Sequence, residues 1–430
     1  MCYCKAIVKR RYRNHFALAI KEIHAMMTNT DKRIPVTVLS GYLGAGKTTL
    51  LNHVLNNRAG LRVAVIVNDM SEVNIDKDLI EQGAALSRTE EKLVEFSNGC
   101  ICCTLRDDLA KEIERLVAQR RFDYILIEST GIGEPLPVAQ TFTLAEPEAG
   151  YDLSRIVRLD TMVTVVDAER FMEDFQSAES LAERAQSAGE GDERDVSDLL
   201  ASQIEFCDVL VLNKTDRVER ESLDTLEAML RKLQPRARIV RSAYGRVAPQ
   251  DILGTGAFDF EEASASPGWM NELRKERHAP ETEEYGISSF VFRSQRPFHP
   301  ARLGAFFDEW PPEIVRAKGY LWLATRNDTA MLLQHAGRSL HFSRAGQWLS
   351  SLAESDLDDD DREELATYAA EPHGDRRTEC VFIGVHMDKA KTETRLAACL
   401  LTDEEMTQDW RELYDPLPKF EDDEACELAS

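Results

Sequence analysis

What this sequence lacks narrows what it can do. No apolar run approaches the roughly 20 residues that cross a bilayer, so a helical membrane span is not expected. No secretory signal followed by a small-residue cleavage site is visible. Positive charge is in deficit, with 52 Lys and Arg against 76 Asp and Glu and a formal charge of −24. Generic nucleic-acid binding needs a basic face to neutralise phosphates, so it is not expected either. The cysteines number nine, an odd count in a long chain, which fits reduced thiols in a cytoplasmic protein better than a disulfide framework. The nine histidines form no cluster, and His299, His335 and His341 read as structural.

What is present is a soluble globular composition, 43% apolar and 30% charged over 430 residues, enough for two or three domains. Residues 1–33 are basic, without strand pattern, and read as an upstream extension or a misassigned start. From residue 34 apolar runs at 34–40, 61–68, 122–129, 161–168 and 207–214 predict buried parallel strands. Helical periodicity lies between them, as at 105–121 and 220–234. Strand and helix in alternation predict an α/β, doubly wound, mainly parallel sheet over 34–252, with ligands at the carboxyl ends of its strands. Residues 253–285 read as a linker. A smaller α+β domain is expected over 286–410, interrupted by an acidic insertion at 354–364 and followed by an acidic tail at 411–430. Such acidic runs are ordinarily solvated linker or tail.

GYLGAGKT at 41–48 follows the first strand and opens a helix, the context in which a glycine-rich loop cradles phosphates. Gly41, Gly44 and Gly46 permit the tight turn, Lys47 should reach the β- and γ-phosphates, and Thr48 should hold Mg2+. NKTD at 213–216 ends another buried strand and carries the guanine-reading pattern of GTPases through Asn213, Lys214 and Asp216. A carboxylate at Asp216 can accept from the guanine ring N–H and exocyclic amine, a donor pair that adenine lacks. Ser242 in SAYG is expected to lie in a second loop touching the base. Glu128 in ESTGIGEP stands where an Mg2+- or water-positioning acid belongs, and Gly131 and Gly133 supply a turn able to sense the γ-phosphate. NDMSEVNID at 68–76 is expected to be the first switch segment, bringing Asp69 and Glu72. Lys47, Glu128 and Asp69 are the catalytic candidates.

NGCICC at 98–103 places Cys100, Cys102 and Cys103 between those two switch segments and just before a helix. Thiolates suit Zn2+ and similar soft ions, and a helix N-terminus favours the thiolate. Three thiols leave a tetrahedral site incomplete, and the fourth ligand could be Glu72, a water or a partner. A redox pair is the alternative, although Cys-x-Cys closes a strained small ring. Cys207, Cys380 and Cys399 sit in apolar segments and read as core.

GYLGAGKTTL, NDMSEVNID, GCICCTLRDDL, ESTGIGEP and NKTD, in this order, resemble the CobW-type P-loop GTPases, the zinc-regulated GTPase metalloprotein activators, over roughly residues 34–410. The NDMSEVNID segment is most similar to a branch that includes zinc-limitation metallochaperones and nitrile hydratase activators. The resemblance implies a P-loop NTPase fold followed by a family C-terminal domain. It implies phosphate contacts from Gly44, Ala45, Gly46, Lys47, Thr48 and Thr49, and metal ligation by Cys100, Cys102 and Cys103. It implies GTP or GDP, Mg2+ and Zn2+, or Co2+ or Fe2+ in its place, and a client apo-metalloprotein as partner, with a homodimer as a further option. The expected function is a GTP-hydrolysing metallochaperone delivering zinc. The alternatives are cobalt or iron insertion into one enzyme such as a nitrile hydratase, or a zinc-sensing binding protein with incidental GTP turnover. Many members carry a His-rich segment that buffers metal; this chain has none, and a storage role is not expected.

Overall fold

The computed structural model describes residues 31–57, 61–69, 93–97, 106–143, 152–187, 192, 194–259 and 285–420. These form two compact units, the first from the described residues of 31–174 and 179–259, the second from those of 175–178 and 285–420. No helix among the described residues is long and apolar enough to cross a membrane.

The first unit is built on seven strands: β1 (Ile34–Ser40), β2 (Val63–Asp69), β3 (Leu93–Ser97), β4 (Tyr124–Glu128), β5 (Val157–Asp167), β6 (Val209–Asn213) and β7 (Arg238–Arg241). Their order is β3-β2-β4-β1-β5-β6-β7, and every pairing is parallel. The helices are α1 (Lys47–Asn57), α2 (Arg106–Ala118), α3 (Pro135–Thr143), α4 (Phe171–Phe175), α5 (Val196–Glu205) and α6 (Arg220–Leu233). Alternation along the strands divides the core in two. Val36, Val38, Ala64, Ile66, Ile125 and Ile127 pack with Leu109, Ile113 and Leu116 of α2 and with α3. Leu39, Val63, Val65, Val67, Leu126, Val163 and Val165 pack with Leu50, Leu51 and Val54 of α1. A sheet covered on both faces needs nearly continuous apolar strands, which is what the sequence supplies. The order reverses around β1, so the loop after β1 leaves the sheet at the switch point where such folds bind ligands.

β3 had no counterpart among the strands expected from the sequence, and β5 begins earlier than expected. The stretch from 253, read as linker, begins inside the first unit. Ile252 and Leu253 are fully buried. The next residues are tied to the sheet by a polar network inside the core. The Tyr124 hydroxyl donates to Asp160 Oδ2 at 2.8 Å, accepts from Gly254 N at 2.9 Å and lies 2.9 Å from Thr37 Oγ1. Asp160 Oδ2 also accepts from Thr255 N and Thr161 Oγ1, each at 2.9 Å, and its Oδ1 pairs with Arg158 at 2.7 Å. Burial, reinforced by the Asp160 carboxylate, pushes the Tyr124 phenol well above its usual range and keeps it protonated. Glycine-rich composition suggested a free linker; the buried partners of residues 254 and 255 overrule it.

The second unit is a five-stranded antiparallel sheet of β8 (Ile287–Ser294), β9 (Ile314–Trp322), β10 (Thr329–Ala336), β11 (Ser339–Gln347) and β12 (Thr378–Val385), in the order β11-β10-β9-β12-β8. Its core is aromatic, with Phe290 and Phe382 stacked at 5.1 Å. Helices α7 (Pro300–Asp308) and α9 (Lys389–Ala398) begin at side-chain caps from His299 and Asp388. The acidic run is not a solvated linker throughout: Asp358 and Asp361 form a capping box that starts helix α8 (Asp359–Thr367). Acids in a first helical turn face the positive end of the helix dipole, so the charge favours the helix rather than opposing it. The tail expected from 411 is partly packed, since Asp415 pairs with Arg326 at 3.0 Å and Leu417 is buried. Cys207, Cys380 and Cys399 are free and buried, and burial pushes their thiols up.

Tyr124→Phe is expected to lower the unfolding free energy by about 1–3 kcal/mol, because it strips the Gly254 amide of its buried partner. Urea denaturation should show a lower midpoint at an unchanged slope.

Candidate functional site

The groups of the site hang from the carboxyl edge of the parallel sheet. Pairing registers set Leu39 beside Glu128, Ser40 beside Thr164, and Asp167 beside Asn213, so strands far apart in sequence end together. Between β1 and α1 the chain turns through Gly41, Gly44 and Gly46, with φ of 131°, 75° and 104°. These are left-handed conformations that disfavour a Cβ. Two of them also lack room: a methyl on Gly41 would lie 2.2 Å from the Val165 carbonyl oxygen, and one on Gly46 2.4 Å from Asn213 Nδ2.

Lys47, the first residue of α1, is buried, and its ammonium donates to the Gly41 and Tyr42 carbonyls at 2.8 and 3.3 Å. A cation is thereby held against a glycine loop at a helix N-terminus, the combination that receives phosphate. Thr48 Oγ1 donates to Glu128 Oε1 at 2.9 Å. Glu128 is buried at the end of β4. A hydroxyl and a carboxylate side by side next to a phosphate loop are hard oxygen donors, and they fit Mg2+. Ala45 offers its carbonyl to Asn213, and Thr49 lies exposed in the first turn of α1.

Asn213 closes the site from the other side. Its Nδ2 donates to Ala45 O at 2.9 Å and its Oδ1 accepts from Gly245 N at 3.0 Å. Lys214 takes a left-handed φ of 59° and its ammonium pairs with Asp167 Oδ2 at 2.6 Å. A non-glycine residue in that region costs on the order of 1 kcal/mol, which the ion pair helps to offset. Asp216 is exposed in the short turn Thr215–Arg217. The Thr215 amide and hydroxyl donate to Ser242 O at 3.1 and 2.9 Å, and Ser242 N donates to Leu212 O at 2.8 Å. NKTD and SAYG are therefore one double loop. The Ser242 hydroxyl is buried without a hydrogen-bond partner among the described residues, and Tyr244 beside it is 63% exposed.

Lys47, Thr48, Glu128, Asn213, Lys214 and Ser242 thus converge on one edge. Asp69 ends β2 there, paired with Ser97. Glu72, Cys100, Cys102 and Cys103 lie outside the described residues. Sequence reasoning missed Asp167, the partner of Lys214, and Gln203 and Arg194, which hold the turn after β4. None belongs to a short motif; Asp167 had the one available signal, an acid at the end of an apolar strand.

Residues 35–241 match the family described as CobW/HypB/UreG, nucleotide-binding domain, and residues 287–400 match the cobalamin synthesis protein cobW C-terminal domain. Zinc-regulated GTPase metalloprotein activator 1 of Dictyostelium discoideum is 43% identical over 426 residues, 95% of this chain and 90% of that protein. The protein of the same name from Schizosaccharomyces pombe is 37% identical over 234 residues, 54% of this chain and 51% of that one. Zinc chaperone CobW of a Sinorhizobium species is 32% identical over 300 residues, 67% of this chain and 81% of that one.

Gly46→Ala would push the Asn213 amide nitrogen off the Ala45 carbonyl and strain a φ of 104°. Binding of a fluorescent GDP should weaken by about ten-fold or more, since strain and a lost buried contact of about 1–3 kcal/mol act on the glycine loop expected to receive the phosphates. The far-ultraviolet circular dichroism should stay unchanged.

Proposed function

The chain belongs to the CobW family of nucleotide-binding proteins, and from that premise we propose that it is a metallochaperone that binds zinc at Cys100, Cys102 and Cys103 and releases it to a client apo-metalloprotein under the control of GTP. It is a GTP-hydrolysing enzyme. The observation that carries the reading is the junction at Asn213, which binds the phosphate loop and the guanine loop into one unit. A site built this way reads base and phosphates together.

In this reading Gly44, Ala45, Gly46, Lys47, Thr48 and Thr49 hold the phosphates. Asp216 accepts from the guanine edge, while Lys214, fixed by Asp167, and Ser242 wall the base. Thr48 and Glu128 would hold Mg2+, which supplies charge neutralisation on the β- and γ-phosphates. Lys47 adds positive charge where the phosphates meet, and Asp69 stands at the same sheet edge.

The cysteines enter through connectivity. Segment 98–105 runs from the carboxyl end of β3, which pairs with Asp69, to the start of α2. The described chain before the cysteines therefore ends at Ser97, beside Asp69. In this reading GTP draws 68–76 toward the turn at 128–135, which Gln203 and Arg194 already hold, brings the thiolates together with Glu72 as a further ligand and raises metal affinity; hydrolysis reverses this. Zinc is the metal proposed because the relatives' names specify zinc and thiolates suit it. The client is an apo-metalloprotein, and the compartment the cytoplasm, which the odd number of cysteines in a long chain supports.

Coupling between two ligands is reciprocal and commonly amounts to about 5–150-fold. Zinc should bind about ten-fold more tightly with a non-hydrolysable GTP analogue than with GDP, measured by competition with a chromophoric chelator. Cys102→Ser should abolish the difference. Equal affinities in the two nucleotide states would overturn the reading.

A further inference from the structure

Three successive carbonyls of the turn after β4 are each met by a side chain from the segment leading into and along α5. Gln203 Nε2 donates to Gly131 O at 3.2 Å and to Gly133 O at 3.1 Å. Arg194 Nη1 donates to the intervening Ile132 O at 3.2 Å and pairs with Glu134 at the same distance. Gln203 is 1% exposed, and its Oε1 has no hydrogen-bond partner among the described residues. Its main-chain carbonyl is in turn fixed by Thr164 Oγ1 of β5 at 2.6 Å. Packing alone does not call for a carboxamide here. An apolar side chain would fill the place without burying an acceptor that lacks a partner, which is costly. The donor of Gln203 serves one turn only, and that turn is ESTGIGEP.

The consequence is one of peptide orientation. In a trans peptide the carbonyl and the following N–H point in opposite directions. Anchoring Gly131 O and Gly133 O on Gln203 turns the N–H groups of Ile132 and Glu134 away from α5. On its other side the turn touches the phosphate loop, where a methyl on Gly131 would lie 2.8 Å from Leu43 N.

We propose that Gln203 is the positioning residue of this turn: it sets the orientation in which the peptide groups of 131–134 meet the γ-phosphate, and Arg194 completes the same anchorage. Gln203 acts through the backbone and is not a catalytic residue. The inference rests on the reading of 128–135 as the γ-phosphate-sensing segment, but not on metal coupling.

The test compares Gln203→Met, which keeps length and loses the donor, with the full-length protein as it stands. GDP affinity should stay within about two-fold, because the base and the β-phosphate are untouched. Affinity for a non-hydrolysable GTP analogue and kcat for GTP should each fall about ten-fold or more, the scale on which misplacement of an aligned group acts. Arg194→Gln should lower the same analogue-to-GDP ratio by a smaller factor. A parallel fall in GDP and analogue affinity in a folded Gln203→Met protein would assign a merely structural role and overturn the proposal, and so would unchanged kcat and analogue affinity. Should a thermal melt show that Gln203→Met does not fold, Arg194→Gln decides: an unchanged ratio overturns the proposal, a lowered one supports it. Zinc affinity that ignores the nucleotide in the wild-type chain sinks the metallochaperone reading alone, because the ratio is read on nucleotides without metal.

Discussion

The side-chain amide of Asn213 joins two loops that approach each other only because the sheet brings them together. Its Nδ2 reaches a carbonyl 168 residues earlier in the chain, and its Oδ1 holds the loop that follows β7. The absence of a side chain at Gly46 is what lets Asn213 come close enough. A glycine in the phosphate loop and an asparagine in the guanine loop are thus one constraint. The buried amide has both of its polar ends satisfied, and losing either partner would leave a costly orphan. In the proposed reading, phosphate grip and base reading are therefore coupled through this one side chain.

The rest of the first unit can be read as support for that junction. Parallel pairing aligns the strand ends, and the two apolar faces lock the sheet between helices. Asp167 fixes Lys214, Glu128 meets Thr48, and Gln203 with Arg194 fixes the turn next to the phosphate loop. The Tyr124–Asp160 network fastens the residues after β7 against the sheet from within. Each element is held by packing within the sheet and presents its polar groups at the carboxyl edge. The proposed switch acts at that edge, on the segments that carry Asp69 and the cysteines.

Much of this was legible in the sequence, for identifiable reasons. The tight turns at 41–46 and 213–216, at the ends of buried strands, could be anticipated because local residue types dictate their backbone conformation. Parallel strands could be read from unbroken apolar runs such as IPVTVLS. Composition was a poorer guide. Residues 253–285 looked like linker because Gly, Ser, Pro and acids abound there, yet the Gly254 and Thr255 amides are bound to Tyr124 and Asp160. The run DLDDDDREE looked like solvated chain because acids dominate it, whereas Asp358 and Asp361 within it form a helix cap. β3 and β10 escaped notice, since LVEFS and TAMLLQHA are short or mixed in pattern. Gln203 and Asp167 could not have been found by motif. Their partners lie 72 and 47 residues away, and only the fold reveals the pairing.

A chain that couples GTP to a metal cargo must release the cargo in step with hydrolysis, not merely bind it more tightly in one state. Stopped-flow mixing of the zinc- and GTP-loaded protein with excess chelator, with phosphate release followed in parallel, addresses this directly. The account predicts that zinc leaves with the rate constant of phosphate release, and that a non-hydrolysable GTP analogue slows zinc release by about ten-fold. Zinc release at one rate with GTP, the analogue and GDP alike would contradict it.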